Sequence, residues 1–147
     1  MQNRLSELTF INYKRAIDKA YGFKFDEWAD TVKAHYKDGA YDIIKREREL
    51  GFYLPETRIK RINAIKDNWP EIVKTIKRYI PPEKHIIHLI KSVNGMSSPD
   101  EAGISSETVL NGVLHAKEIR ALCTVLQILA DLDLLEEFAV NIVDCYS

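Results

Sequence analysis

The sequence is poor in cysteine and glycine, and neither residue type forms a motif used in catalysis. Its 147 residues include two cysteines, Cys123 and Cys145, and their separation excludes a CxxC metal or redox motif. The six glycines form neither GxGxxG nor GxxxxGK(S/T), the two patterns that bind nucleotide phosphates at the start of a helix. We therefore expect reduced thiols and no nucleotide-binding loop in this chain.

Long hydrophobic runs and a charge imbalance are also absent. Asp131 and Asp133 interrupt the longest apolar run, which is shorter than the ~18 to 20 residues that cross a bilayer. The formal net charge is -1, so the whole chain has no electrostatic attraction to nucleic acid or to anionic lipid. No signal peptide is evident. These features predict a soluble cytoplasmic protein that binds neither membranes nor nucleic acid.

Apolar residues recur at intervals of three and four along the chain, which is the period of an amphipathic helix. Alternation of apolar and polar side chains, the pattern of a half-buried strand, is confined to short stretches such as residues 31–37, where Val32 and Tyr36 also fit the helical period. The chain contains no fixed-period repeat and no linker long enough to divide it. We predict one all-α domain that spans residues 1–147, with its aromatic residues in the core.

Helix-terminating residues divide the N-terminal part of this pattern. The first helix should run from Leu8 to Tyr21 and end at Gly22 in a left-handed conformation. Asp26 should cap a second helix, and Gly39 should stop it. Two amphipathic helices are therefore expected before the charged segment that begins near residue 45.

Proline and serine mark helix starts in the rest of the chain. Pro55 should open one helix, and Asn68 with Pro70 should end that helix and start another. Ser105 should cap a helix whose apolar pattern persists to Leu129 without a strong breaker. A separate helix after Pro82 should bury one apolar stripe, composed of Ile86, Ile87, Ile90 and Val93.

Four histidines are the candidates for metal binding or proton transfer. His85 and His88 are three residues apart, so a helix would place both imidazoles on nearly the same side, as a metal site requires. No third ligand has a suitable spacing, and the alternative is an ordinary exposed pair. His35 and His115 are isolated in the sequence. We therefore assign no catalytic, cofactor-binding or metal-binding residue.

Charge is distributed unevenly along the chain. Residues 45–78 hold ten Lys or Arg and five Asp or Glu, whereas residues 99–147 hold two and nine. A basic face for RNA is one interpretation, and a solvated helix surface is the other. Because acids are interspersed among the bases at helical spacing, the second interpretation is favoured and nucleic acid is not expected as a partner.

Two segments near the end of the chain carry a resemblance to a known family. They read SSPDEAGIS, residues 97–105, and AKEIRALCTVLQILADLDLLEEF, residues 116–138. They resemble the C-terminal part of bacterial sn-glycerol-1-phosphate dehydrogenases, in the superfamily of iron-containing alcohol dehydrogenases and dehydroquinate synthases. The family pattern there is roughly GIS, a helix, IR-x-RYT-x-L and LLADLGLL. The matching residues are Ile119, Arg120, Thr124, Leu126 and Leu129 to Leu132.

The resemblance extends upstream through residues 58–96 and more weakly through residues 35–47, about three quarters of the chain in all. Three positions depart from it. The second Arg and the Tyr of the pattern are Leu122 and Cys123 here, and the Gly of LLADLGLL is Asp133. Polar contacts that the family makes through these positions are therefore not expected in this chain.

The resemblance implies a multi-helix C-terminal domain of an enzyme that reduces dihydroxyacetone phosphate to sn-glycerol 1-phosphate. In that family, NAD(P) binds an N-terminal α/β domain, and a Zn, Ni or Fe ion is held by an Asp and two His that precede the matched segment. The chain is therefore expected to lack a catalytic, cofactor or metal site and to need such a domain, from the same or a companion chain, as its partner. A homodimer is a further possibility.

Two other functions remain open from the sequence. One is a standalone helical protein-interaction module, which the regular helix caps and stripes favour. The other is an RNA-binding helical domain that uses residues 45–78, for which affinity should fall steeply with added salt.

Overall fold

The computed structural model describes residues 11–145, and all regular structure in this range is helical. Three single turns of 3-10 helix, Lys37–Gly39, Asp100–Ala102 and Ala116–Ile119, lie between the α-helices. None of the helices in the described range is long and apolar enough to span a membrane. The predicted all-α class is confirmed. The α-helices are α1 (Tyr13–Tyr21), α2 (Phe25–Tyr36), α3 (Ala40–Leu50), α4 (Pro55–Tyr79), α5 (Glu83–Ser92), α6 (Ser106–His115), α7 (Val125–Asp131) and α8 (Leu135–Cys145).

The long helix α4 is the element around which the core is built. Its first half buries Ile62 against two small residues of α1, Ala16 and Ala20, which let the two helices approach closely. A separate cluster joins α2 to α3. The second half of α4 contributes to the largest cluster, whose buried members are Ile76, Leu129, Leu135 and Phe138.

Several helix ends are formed by the residues that the sequence predicted. The Ser105 side chain accepts a hydrogen bond from the backbone N–H of Thr108, and Pro55 occupies the first turn of α4. Helix α3 ends at Gly51, which is left-handed with φ 58°. Two predictions were wrong. Gly22 has φ -77° and is not left-handed, and Asp26 lies within the first turn of α2 without capping it. The predicted start at Leu8 lies outside the described residues.

The predicted break at Asn68 and Pro70 was wrong, because α4 continues through both residues to Tyr79. The Asn68 side chain donates to the Ala64 carbonyl 2.9 Å away and so does not cap a new helix. A proline inside a helix costs about 3 kcal/mol, because it lacks an N–H and its ring crowds the preceding turn. Packing of Trp69 and Ile72, both partly buried, and of the buried Ile76 in the same cluster offsets this cost and keeps α4 continuous.

The predicted helix from Ser105 to Leu129 was also wrong, because the chain leaves helical geometry between His115 and Val125. The 3-10 turn Ala116–Ile119 is followed by extended backbone at Arg120 and by Thr124, whose side chain accepts from the N–H of Gln127. This change of chain direction lets the Glu118 carboxylate point inward, where it is buried. The helix is therefore interrupted by contacts of Glu118 with residues far away in sequence, such as Trp28.

Helix α5 has the predicted apolar stripe but buries little of it. Of that stripe, Ile87 and Ile90 are half-buried, Ile86 is 39% exposed, and Val93, just after the helix, is 76% exposed. Leu89, outside the predicted stripe, is 51% exposed. No residue of α5 is buried, in contrast to the expectation of a buried stripe. Some aromatic residues also lie outside the core, since Tyr21, Tyr41 and Tyr79 are exposed.

Candidate functional site

A cleft of about 330 Å³ opens between α1, α2, α4 and the segment that connects α6 to α8. Phe23, Trp28 and Tyr53 form an aromatic wall, with ring centroids 5.4 to 6.4 Å apart. We call this space the aromatic cleft. Its other lining residues are Lys19, Arg58, Leu114, His115, Lys117, Glu118, Gln127, Ala130, Asp133, Leu135 and Glu136.

Behind the cleft lies a buried ionic cluster centred on Asp131, which is 0% exposed. Its carboxylate accepts from Arg58 Nε at 3.3 Å, from Arg61 Nε at 2.8 Å and Nη2 at 3.1 Å, and from Gln127 Nε2 at 3.0 Å. Arg61 Nη1 also donates to the Phe52 carbonyl, and Arg58 Nη2 donates to the Ala130 carbonyl. We call Arg58, Arg61, Gln127 and Asp131 the Asp131 network.

Tyr53 connects the aromatic wall to this network. Its hydroxyl donates to Gln127 Oε1 at 3.3 Å. Burial, followed by the nearby negative charge of Glu118, raises the pKa of Tyr53 far above its ordinary value. The phenol therefore stays protonated and serves as a fixed donor.

Glu118 and Glu47 are the two other buried acids near the cleft. Glu118 accepts from Trp28 Nε1 at 3.1 Å and pairs with Lys117, while its carbonyl accepts from Arg46. Glu47 accepts from the backbone N–H groups of Tyr53 at 2.6 Å and of Phe52. Burial raises the pKa of Glu47, although these two hydrogen bonds act in the opposite direction.

At the mouth of the cleft, Asp133, which lies just before α8, connects this part of the chain to α1. Its carboxylate pairs with Lys19 and Arg15 of α1, and Arg15 Nη2 also donates to the Asp133 carbonyl at 2.9 Å. Burial raises the pKa of Asp133, but the hydrogen bonds and charges of Lys19 and Arg15 outweigh it and leave the pKa below its ordinary value. Asp133 is therefore an ionised anchor for α1.

These contacts decide what the site can do chemically. Within residues 11–145, no buried side-chain nitrogen or oxygen lacks a hydrogen-bond partner. Each buried acid is an acceptor for several donors, so none of them is aimed at the cleft as a free acid or base. The geometry therefore supports positioning and binding, and we assign no catalytic residue to it.

The structure brings together two histidines that the sequence presented as isolated. His35, in the last turn of α2, and His115, at the end of α6, stack with ring centroids 3.6 Å apart. Burial, followed by the proximity of His35 and Lys117, lowers the pKa of His115. His35 Nδ1 lies 2.8 Å from the Thr31 carbonyl and therefore carries the proton. The pair is a contact between α2 and α6.

The residues do not fit the metal ion that the family resemblance implies. In the described part of the chain, no three His, Cys, Asp or Glu side chains come together as a metal-binding group. His85 and His88 are both exposed on α5. The described residues do not fit a nicotinamide cofactor either, because the glycines form no phosphate-binding motif and no strand leads into a helix through such a loop. We therefore derive no reaction step through a metal or cofactor.

The Asp131 network was not predicted from the sequence. Its signal was present, because Arg58 and Arg61 are three residues apart and Gln127 and Asp131 are four apart, in helices with apolar neighbours. Polar pairs at this spacing are far more often exposed than buried. Only the packing of α4 against α7 distinguishes the two situations.

No protein-family model matches the sequence, and neither a curated protein nor a solved structure matches it. The support for any family relationship therefore has to come from the sequence pattern and from the geometry of the residues that carry it.

Proposed function

We propose that this chain is the C-terminal helical part of a glycerol-1-phosphate dehydrogenase-like protein, and that by itself it is catalytically incomplete. The observation that carries the proposal is the backbone of Asp133. This residue occupies the glycine position of the LLADLGLL pattern, and its φ is 58°, in the left-handed region that favours glycine.

The turn at Asp133 is of a kind in which glycine is favoured. Helix α7 ends with Leu134 N–H bonded to the Leu129 carbonyl at 2.8 Å and Asp133 N–H bonded to the Ala130 carbonyl at 3.2 Å. These two bonds define a Schellman motif, whose left-handed residue is usually Gly. Leu134 packs in the same cluster as Leu129, which is the apolar contact that accompanies the motif. The backbone conformation at this position thus favours glycine, which is the residue of the family pattern.

The start of α7 gives the same kind of support. Thr124, a matched residue of the IR-x-RYT-x-L pattern, caps α7 through its hydroxyl group. The pattern therefore coincides with both ends of α7, its cap at Thr124 and its stop at Asp133. The substituted positions Leu122 and Cys123 are exposed, so their replacement disturbs no core contact.

The proposed role is to support a catalytic site that other residues supply. The family reaction is the NAD(P)-dependent reduction of dihydroxyacetone phosphate in phospholipid metabolism, and it would take place in the cytoplasm. In this proposal the chain works with an NAD(P)-binding α/β domain of the same or a companion chain. The Asp131 network would keep α4 and α7 in fixed relative positions.

The experiment has two arms. Purified chain is mixed with NADH or NADPH, dihydroxyacetone phosphate and Zn²⁺, Ni²⁺ or Fe²⁺, and absorbance at the nicotinamide band is followed; we expect no turnover. Affinity capture from the native cell, followed by mass spectrometry, should recover a protein that has a dinucleotide-binding α/β domain. Turnover by the chain alone would overturn the claim of incompleteness, and capture of only unrelated proteins would overturn the family assignment.

The second candidate is a standalone protein-interaction module, and the exposed apolar side chains of α5 favour it. Ile86 and Leu89 of this helix are 39% and 51% exposed, so they leave apolar surface in contact with water that a partner would cover. In this case affinity capture recovers a partner without a dinucleotide-binding domain. Replacement of Leu89 by Lys should then abolish capture, whereas replacement of the exposed Ala34 on α2 should not.

A further inference from the structure

The aromatic cleft has the size of a small-molecule site. Its volume of about 330 Å³ lies within the range of about 300 to 1,000 Å³ that is usual for ligand pockets. We propose that it binds a small planar aromatic ligand that carries no net charge. This ligand is independent of the dehydrogenase assignment and is not part of the proposed function.

The shape of the ligand follows from the aromatic wall. The Trp28 and Tyr53 rings are 5.4 Å apart at 45°, and Phe23 lies 6.1 Å from Tyr53, so their faces and edges border one space. Aromatic rings attract one another in tilted and offset arrangements at such distances, which a flat ring can adopt and a bulky aliphatic group cannot. Leu114 and Leu135 also line the cleft and add apolar surface.

The charge of the ligand follows from the ion pairs. Lys117 pairs with Glu118, Arg58 pairs with Asp131, and Lys19 pairs with Asp133 and Glu136. A singly charged ligand would have to displace one of these partners or remain unpaired beside it, and both outcomes are unfavourable in a partly desolvated site. An uncharged ligand leaves every pair intact.

The mouth of the cleft allows entry from solvent. Lys19 Nζ and Glu136 Oε1 are 3.4 Å apart there, and their side chains are 49% and 82% exposed. Such an exposed pair is weak and can open without a large cost. The ligand therefore needs no rearrangement of α1 or α8 to reach the aromatic wall.

Three probes with the same ring but different charge test the proposal. Indole is uncharged, indole-3-acetate is an anion and tryptamine is a cation at pH 7.5. Isothermal titration of the full chain should give saturable indole binding with a dissociation constant below about 1 mM, and binding of each charged probe at least about tenfold weaker. Absence of indole binding, or tighter binding of either charged probe, would overturn the proposal.

Two measurements place the probe in the cleft. Amide chemical-shift changes in the unmodified chain should concentrate at Trp28, Tyr53 and Gln127; changes confined to α5 would overturn the assignment. Ala130→Leu adds side-chain volume at the cleft and should weaken indole binding at least about tenfold. Ala34→Leu, the same change at an exposed position of α2, should leave binding unchanged. The shift map decides the question if the Ala130 variant does not fold.

Discussion

The Asp131 network and helix α5 show opposite relations between side-chain polarity and burial. Asp131 is charged and 0% exposed, because two arginines and a glutamine surround its carboxylate. Leu89 of α5 is apolar and 51% exposed, and no residue of α5 is buried. Amphipathic periodicity thus indicates which face of a helix prefers contact, but the rest of the chain decides whether that contact exists.

The largest effect on stability is expected from Asp131→Ala, which removes the buried carboxylate of the Asp131 network. Arg58 and Arg61 would keep their charges at side-chain exposures of 11% and 16% without a counter-charge. Removing one partner of a buried pair typically destabilises by about 3 to 5 kcal/mol. Urea unfolding followed by circular dichroism measures this loss.

Asp67→Ala is the matched control, since Asp67 is an exposed residue of α4 and its replacement should change stability by less than about 0.5 kcal/mol. The loss at Asp131 measures the penalty of unpaired guanidinium groups and not the net value of the pairs. Equal stability of the two variants would show that the network does not hold α4 to α7.

The second prediction applies the same substitution to both regions. Leu129→Ala removes a side chain that is 0% exposed in the largest cluster, and it should cost about 2 to 5 kcal/mol. Leu89→Ala on α5 should cost no more than about 1 kcal/mol, because about half of that residue is already in contact with water. Thermal or urea unfolding of the two variants gives the comparison directly. A large loss at Leu89 would show that another surface covers α5 in solution.

The smallest effect concerns the left-handed turn that joins the network to α8. Asp133→Gly and Asp133→Ala both remove the pairs with Arg15 and Lys19, so the difference between them isolates the backbone. The Gly variant should be more stable by about 1 kcal/mol, because alanine is strained at φ 58°.

At the control position, the expected difference in stability between the Gly and Ala variants has the opposite sign. At Asp67, inside α4, Gly should be less stable than Ala by about 1 kcal/mol. Urea unfolding of the four variants measures both differences. A Gly variant at position 133 that is no more stable than the Ala variant would remove the physical link between this turn and the glycine of the family pattern.

Local rules predicted much of the helical architecture. Ser105, Pro55 and Gly51 act at helix ends as their chemistry requires, since a cap or a fixed φ needs only neighbouring backbone groups. The same rules failed at Pro70, where the core packing of flanking residues keeps α4 continuous, and between His115 and Val125, where burial of Glu118 bends the chain. Both failures occurred where a distant contact outweighed a local preference.

The aromatic cleft and the two histidines show the same limit for the candidate site. Tyr53 and Gln127 are 74 positions apart, and His35 and His115 stack although each is isolated in the sequence. No local pattern relates such residues, because their proximity arises from the way in which helices pack and not from their spacing along one helix. The sequence likewise could not show that the charges around the cleft would all be paired.

By itself, the amino-acid sequence determined that this chain forms amphipathic helices, because periodicity and capping depend on residues within a few positions of each other. Only the tertiary structure decided that Asp131 is buried with two arginines while Leu89 remains exposed to water. Burial depends on what lies opposite a side chain, and for Asp131 that is a pair of arginines 73 and 70 positions away in sequence.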